Sequence, residues 1–327
     1  MVNGGSGVDG GNVDDMPFRT MRNRTTESTP PLAIHQLCRA PRCPPLTPSP
    51  ARLGCAAMSL TFADLLAARE RIAPHIKRTP VVTSDALDAA TNARLFFKCE
   101  NLQAVGAFKT RGACNAVFAL NDKQAAKGVV THSSGNHGAA VARAAQRRGI
   151  PAYVVMPHNA PRAKVRNVES FGARVVFCEP SLTAREAACH KLITELGAHL
   201  VHPFDDFDVM AGQGTAAIEL LEAVSDLDVL LVPVGGGGLL SGCAVAAKHL
   251  RPSIHVVAVE PQAADDVAQS FAARERISIS SAPTIADGLR TNLVGERTFP
   301  VILQHVDAVI TVTETEIVAA MRELWEH

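Results

Sequence analysis

The sequence predicts an α/β protein with two three-layer domains and largely parallel sheets, the smaller domain being inserted in the larger. Short, uniformly apolar runs rich in β-branched residues alternate with helical stretches along most of the chain. That alternation is typical of parallel sheets covered by helices on both faces. Apolar residues make up 47% of the chain but aromatic residues only 4%, so the core must consist mainly of small aliphatic side chains.

Residues 1–57 differ in composition from the rest, with glycine-rich and proline-rich stretches and neither helical nor strand periodicity. Such a segment cannot bury enough apolar surface to offset the entropy lost on ordering. It lacks the apolar stretch of a secretory signal, and its acidic residues argue against an organellar transit peptide. We therefore expect 1–57 to be a disordered extension or a mis-assigned start ahead of Met58.

The elements follow in order from Met58. Thr61 and Asp64 have the spacing of a capping arrangement at the start of a first helix. Apolar, β-branched runs predict the strands, which lie at 95–99, 129–131, 152–156, 175–177, 229–234, 256–259 and 309–312. Helical patterns separate them, beginning at 110 and spanning 136–148, 161–171, 184–196 and 239–250.

The grouping of these elements predicts the domains. The run at 128–204 can form one sheet, and the strands before and after it can form another. We therefore expect a small inserted domain at 128–204, and a large domain made of 58–127 and 205–327.

Charge and cysteine content exclude several classes of partner. The chain has 32 basic and 32 acidic residues and no apolar run near the roughly 20 residues that span a bilayer. A balanced surface gives no electrostatic reason to expect nucleic acid or an anionic membrane. The eight cysteines form no C-x-x-C pair, which favours buried thiols in a reducing compartment. We expect a cytoplasmic protein with neither kind of partner.

Three loops of unusual composition lie where ligands bind in open α/β sheets, between a strand end and a helix start. Gly235, Gly236, Gly237 and Gly238 follow a predicted strand, and their N–H groups could wrap a phosphate or form a plain tight turn. The segment 133–138, Ser-Ser-Gly-Asn-His-Gly, suits either a bound carboxylate or simple helix capping.

The third loop, Gly106 to Gly112, contains Lys109 among small and apolar neighbours. Partial desolvation there would lower the pKa of the lysine and favour the amine that forms imines, whereas a solvated surface lysine is the alternative.

Taken together, these segments resemble one family. Residues 97–103 (Phe-Lys-Cys-Glu-Asn-Leu-Gln) and 106–113 (Gly-Ala-Phe-Lys-Thr-Arg-Gly-Ala) resemble the lysine segment of the pyridoxal-phosphate (PLP) dependent serine racemases and threonine dehydratases. Residues 133–138 are similar to their substrate loop and 233–239 to their phosphate loop. The segments 211–215 and 284–289 also match, so the resemblance runs from about Met58 to the end of the chain.

The resemblance implies a fold of type II, with PLP in the cleft between the two domains, and a role for each matching residue. Lys109 would carry PLP, and would remove the α-proton of the substrate. Phe108 would line the ring of PLP, Asn136 would bind its hydroxyl, and Gly235, Gly236, Gly237 and Gly238 would hold its phosphate. The substrate carboxylate would be held by Ser133, Ser134, Gly135, Asn136 and His137, although a lone histidine here is more often a packed or capping residue.

Three positions bear on the reaction, and they do not all point to the same one. Ser134 matches the second acid/base of serine racemases, where many dehydratases have alanine. Arg185 lies where racemases carry a substrate-region arginine, but it could equally be a solvated helix residue. Phe204 resembles the dehydratase pattern. The resemblance therefore implies elimination of water from L-serine or L-threonine, racemisation of serine, or both, in a homodimer that binds a small hydroxy amino acid.

The resemblance also implies a divalent-cation site. Glu260, the carbonyl of Ala264 and Asp266 would supply oxygen ligands suited to Mg²⁺ or Ca²⁺. The alternative is a helix start at which acidic residues are favoured by the helix dipole.

Relatives continue past the last predicted helix into a Glu-Pro segment and a Ser-Gly-Gly-Asn strand, whose serine binds the pyridine nitrogen. This chain stops at His327, and we expect a C-terminally truncated large domain. An inactive family member without stable PLP binding is therefore one alternative. A nucleotide-binding enzyme is another, but the glycine loop has neither a Walker pattern nor a ribose-binding acidic partner.

Overall fold

The computed structural model describes residues 59–133 and 135–327. The segment 1–57 and its expected disorder, and Ser134 with its predicted role, lie outside the described residues. Twelve α-helices are assigned within the described part of the chain. They are α1 (Phe62–Ile72), α2 (Asp85–Thr91), α3 (Lys109–Ala119), α4 (Asp122–Ala126), α5 (Asn136–Arg148), α6 (Arg162–Glu169), α7 (Leu182–Leu196), α8 (Phe207–Ala223), α9 (Gly238–Leu250), α10 (Asp266–Ala273), α11 (Thr298–His305) and α12 (Glu314–Glu326).

Nine strands form three sheets in the same residues. The strands are β1 (Val81–Val82), β2 (Phe97–Lys98), β3 (Val129–His132), β4 (Ala152–Pro157), β5 (Arg174–Cys178), β6 (His199–Leu200), β7 (Val229–Pro233), β8 (His255–Pro261) and β9 (Ala308–Val312). One parallel sheet has the order β5-β4-β3-β6 and another the order β7-β8-β9. The predicted α/β class with largely parallel sheets is confirmed.

The sheets correct one prediction and add a strand that was not predicted. The strand expected at 95–99 is limited to Phe97–Lys98, and it pairs antiparallel with β1 instead of joining the strands that follow residue 204. Strand β6 was not predicted, because its two residues are too few to show a period. The four-stranded sheet lies within 129–200 and the three-stranded sheet within 229–312, while the domain boundaries themselves stay a prediction.

The first helix begins as its sequence indicates. The amide of Asp64 donates to Thr61 Oγ1 at 3.3 Å, and the amide of Thr61 donates to Asp64 Oδ2 at 2.8 Å. This reciprocal capping box satisfies two backbone donors that the helix itself leaves free. In the described residues, no helix combines the length and the apolarity that a membrane span requires.

Glycines allow the helices behind the glycine loop to approach closely. A Cβ atom built on Gly212 of α8 would lie 2.5 Å from the carbonyl oxygen of Arg111 in α3. A Cβ built on Gly214 would lie 2.6 Å from the carbonyl oxygen of Gly242 in α9. Helix α8 therefore touches both α3 and α9 backbone to backbone. This packing places Lys109, at the start of α3, near the glycine loop that precedes α9.

Candidate active site

The amine of Lys109 is desolvated. Part of the side chain still reaches the surface, but the packing around the amine lowers the pKa of Lys109 to about 8. The Nζ atom donates a hydrogen bond to the carbonyl oxygen of Pro203 at 2.7 Å and lies 5.2 Å from the centroid of the Phe108 ring. Burial favours the neutral amine because it penalises charge. The structure therefore favours the desolvated lysine over the solvated surface lysine.

Residues 201–204 contact all three predicted loops. The Val201 carbonyl oxygen lies 3.1 Å from Nε2 of His137, at the start of α5, and the Pro203 carbonyl accepts from Lys109. This segment directly follows β6, which pairs in parallel with β3. It therefore begins at the same end of the sheet as the loop that follows β3. Sequence reasoning missed Val201 and Pro203, because their contribution is a backbone carbonyl and leaves no residue-type signal.

The glycine loop has a shape that only glycine permits. Phe204 packs against it so closely that a Cβ on Gly236 would overlap the ring, and a Cβ on Gly238 would lie 2.9 Å from the Phe204 carbonyl oxygen. Gly237 has a φ of +95°, which side-chain-bearing residues rarely adopt. The Gly236 carbonyl is held by a 2.8 Å hydrogen bond from Thr298 Oγ1. The N–H groups at the start of α9 are thereby fixed as a cradle for an anion.

The predicted substrate loop leads into α5 as expected. Helix α5 begins at Asn136, after the loop that follows β3. A Cβ on Gly138 would overlap the carbonyl oxygen of Ser133, so glycine is required by close approach. His137 is 2% exposed, and burial, with a further contribution from Lys109, holds its pKa well below 6.5. It is a neutral packed histidine, as the sequence analysis favoured over a base.

Three other predicted residues, Arg185, Asn136 and Gly135, are less buried than His137. Arg185 is partly exposed on α7, where it adds to the effect of burial in lowering the pKa of His132, the last residue of β3. It therefore lies near the strand that leads into Ser133. Asn136 is exposed, and Gly135 is the N-cap of α5.

The predicted cation ligands lie between the end of β8, which contains Glu260, and the start of α10, which begins at Asp266. Glu260 and Asp266 are both 0% exposed. Glu260 accepts hydrogen bonds from the amides of Val267 at 3.1 Å and Ala268 at 2.9 Å. In the described part of the chain neither Asp266 carboxylate oxygen has a partner at hydrogen-bond geometry, and the nearby Thr291 hydroxyl offsets only part of the effect of burial on the pKa of Asp266. Burial raises the pKa of Glu260 to about 8 and that of Asp266 to about 7.

The two carboxylates at this position suit a cation, but they are too few to hold one without further ligands. Within residues 59–133 and 135–327, no group of three or more His, Cys, Asp or Glu side chains could hold a metal ion. A site here therefore needs the carbonyl of Ala264, a fully buried residue, and water beside the two carboxylates. A buried carboxylate without a partner fits such a site, because a cation would supply the charge compensation that the protein lacks.

A buried ion network holds the helix that carries Lys109. Arg111, 0% exposed, pairs with Glu100 at 2.8 Å and with Glu219 at 2.8 Å. Lys98 Nζ lies 2.6 Å from Glu219, and Arg111 also donates to Thr215 Oγ1 at 3.1 Å. Burial alone would lower the pKa of Arg111, but the hydrogen bonds to both carboxylates raise it above its usual value. Arg111 therefore remains charged, and it ties α3 to α8.

The site fits PLP in two respects. The aldehyde of PLP needs a neutral amine, which Lys109 would supply. The phosphate of PLP needs converging N–H donors without side-chain obstruction, which the glycine loop would supply. Phe204 links the amine and the glycine loop. Its ring contacts the loop, and it directly follows Pro203, whose carbonyl oxygen accepts a hydrogen bond from Lys109.

Comparisons with known proteins agree with this fit. Residues 72–327 match the family described as pyridoxal-phosphate dependent enzyme. A serine racemase of Arabidopsis thaliana is 51% identical over 267 residues, covering 81% of this chain and 80% of the relative. A β-hydroxyaspartate dehydratase of Paracoccus denitrificans is 50% identical, covering 82% of this chain and 84% of the relative.

A solved structure gives the same result. The crystal structure of serine racemase from Dictyostelium discoideum superposes with a TM-score of 0.79 at 48% identity, covering 82% of this chain and 86% of that chain. The chain therefore belongs to the family of pyridoxal-phosphate dependent enzymes that includes serine racemases and hydroxyaspartate dehydratases.

Proposed function

We propose that this chain eliminates water from small β-hydroxy amino acids, that the resulting enamine takes up water and releases ammonia to give a 2-oxo acid, and that the chain also racemises serine. The observation that carries the proposal is the desolvated Lys109 amine, which is linked through residues 203 and 204 to the glycine loop. The relatives named serine racemase and β-hydroxyaspartate dehydratase support both reactions.

Each predicted residue then has a physical task. PLP, when bound, supplies the electron sink for negative charge at the substrate α-carbon. The neutral Nζ of Lys109 removes the α-proton from one face of the substrate. Backbone N–H groups of 135–138 at the start of α5 hold the substrate carboxylate, assisted by the hydroxyls of Ser133 and Ser134 and by the charge of Arg185. Asn136 and Phe108 orient the cofactor ring.

Product release from candidate substrates tests the proposed reaction. The purified chain, loaded with PLP, is expected to release a 2-oxo acid from at least one of L-serine, L-threonine and 3-hydroxyaspartate. These substrates differ by one methyl or one carboxylate group, so pocket shape decides among them. PLP binding with no 2-oxo acid from any of the three, and no D-serine from L-serine, would overturn the proposal. The inactive alternative predicts no PLP binding at all.

The pKa of Lys109 predicts how cofactor incorporation depends on pH. With a pKa of about 8, the reactive amine fraction rises as pH increases through 8 and then levels off. The rate of PLP incorporation should therefore rise about tenfold from pH 7 to pH 9, and change little above it. A lysine with a normal pKa near 10.4 would gain about a hundredfold over the same interval. Stopped-flow absorbance of the incorporation step distinguishes the two curves.

Replacing Ser134 with alanine is expected to separate the two reactions. If Ser134 donates a proton from the face opposite Lys109, its loss should lower racemisation of L-serine by about 10²–10⁴-fold, the usual contribution of a positioned acid or base. Elimination from the L-substrate should survive, because Lys109 alone removes its α-proton. D-Serine formation and pyruvate release are measured in the same reaction. Equal loss of both activities would contradict the assignment.

We also propose a bound divalent cation, Mg²⁺ or Ca²⁺, held by Glu260, Asp266 and the carbonyl of Ala264. Adding Mg²⁺ to the chelator-treated chain should raise its melting temperature, because the cation binds only the folded state. Asp266→Asn should abolish this increase, whereas Asp265→Asn, which changes the adjacent partly exposed carboxylate, should retain it. Equal responses of both variants to Mg²⁺ and chelator would favour the helix-start alternative.

We further propose a cytoplasmic homodimer. The five cysteines of the described residues, Cys99, Cys114, Cys178, Cys189 and Cys243, are free thiols, which is compatible with a reducing compartment. Light scattering at two protein concentrations tests the dimer.

A further inference from the structure

Gln213 is a buried polar side chain with no role in the proposed reaction. It lies on α8 and is 0% exposed. Within the described residues, neither its Oε1 nor its Nε2 atom has a hydrogen-bond partner. Buried amides are almost always hydrogen-bonded, and leaving one unsatisfied costs stability. An amide in this condition therefore indicates a partner that binds to the folded protein.

The amide points to the glycine loop. Gln213 Oε1 lies 3.0 Å from the position of a Cβ built on Gly238, the first residue of α9. On its other side, Gln213 Cγ lies 3.0 Å from the position of a Cβ on Gly112 in α3. The side chain thus lies between the helix that begins at Lys109 and the loop that forms the anion cradle. Gly112 and Gly238 leave the room that it occupies.

Gln213 has no access to solvent in this position, because it is 0% exposed. Its side chain is held between Gly112 of α3 and Gly238 of α9, each of which it closely approaches. Its amide has both a donor and an acceptor. It can therefore pair with a loop N–H through Oε1 and donate through Nε2 toward an anion at the same helix start.

We propose that Gln213 is a positioning residue of the phosphate site, whose amide hydrogen-bonds the glycine loop at Gly238 when a phosphate group is bound there. This inference rests on the proposed assignment of the glycine loop to the cofactor phosphate. It adds a neutral side chain on α8 to a site that sequence analysis built from backbone groups alone.

The experiment compares PLP with pyridoxal, which lacks the phosphate, as ligands of the full chain and its Gln213→Leu variant. Dissociation constants are measured by absorbance titration, and melting temperatures are measured without cofactor. Leucine fills a similar volume without polar atoms. Gln213→Leu should weaken PLP binding about tenfold or more, the effect of losing a hydrogen bond that serves a charged group. Pyridoxal affinity should remain within about twofold of wild type, and the cofactor-free variant should melt at the same or a higher temperature.

Three further results complete the test. Gln213→Glu should weaken PLP binding more than leucine does, because its charge repels the phosphate, while pyridoxal binding is spared. Gln146→Leu, which changes an exposed glutamine of α5, should leave both affinities unchanged. Equal weakening of PLP and pyridoxal by Gln213→Leu, or unchanged PLP affinity, would overturn the inference while leaving the proposed function intact. Failure of the wild-type chain to bind PLP would contradict both.

Discussion

Replacing Lys109 with alanine should abolish the absorbance band of lysine-bound PLP and lower turnover of any hydroxy amino acid by about 10³-fold or more. Two functions should be lost together, because in the proposed function one amine both attaches the cofactor and moves the α-proton. A positioned acid or base alone contributes about 10²–10⁴-fold. Spectra of PLP-loaded protein and release of 2-oxo acid measure the two losses separately.

A second lysine provides the control. Lys127→Ala changes an exposed lysine and should retain both the band and the activity. Retention of the band in Lys109→Ala would show that another lysine holds the cofactor. Loss of activity with an intact band would restrict Lys109 to proton transfer.

Replacing Glu219 with glutamine should produce the largest loss of stability among the charged positions considered. The change leaves Arg111 with the carboxylate of Glu100 and Lys98 with the carbonyl oxygen of Thr79, so two buried positive charges retain one carboxylate. Removing one partner of a buried pair costs about 3–5 kcal/mol, because the other charge stays desolvated. The free energy of unfolding, measured by urea titration of the cofactor-free chain, should fall by this amount.

Glu222, on the same helix, is the matched control. It pairs with Arg69 and Arg78 at the surface, with side chains 36–58% exposed. Exposed pairs contribute about 0–1 kcal/mol, so Glu222→Gln should change the free energy of unfolding by less than about 1 kcal/mol. Similar losses for Glu219→Gln and Glu222→Gln would mean that the buried network is not a stability determinant.

Elements with a full period or an obvious boundary could be predicted from the sequence. Helix α5 begins at Asn136 and ends at Arg148, the bounds that its helical pattern predicted. Strands β3, β4 and β5 were predicted because they are apolar runs flanked by helices. Strands of two residues carry no period, so β1 and β6 could not be recognised, and the pairing of β2 with β1 is decided by tertiary contacts.

The candidate site also combines features that the sequence indicates with features that only tertiary contacts determine. Lys109 and the glycine loop could be singled out as candidates because their residue types are unusual at element junctions. The contact of Lys109 with Pro203 joins residues 94 positions apart. It depends on the position of β6 in the sheet, because Pro203 follows that strand closely in the sequence. The confinement of Gln213 depends on glycines in two other helices. Such features arise from packing, and no local pattern encodes them.

The most direct test of the central claim is to find the residue to which the cofactor is attached. The PLP-loaded chain is reduced with borohydride, which makes the bond between cofactor and lysine permanent, and its peptides are then analysed by mass spectrometry. We predict a single modified peptide containing Lys109. Modification at a different lysine, or none after loading with excess PLP, would contradict the assignment of Lys109 and with it the proposed function.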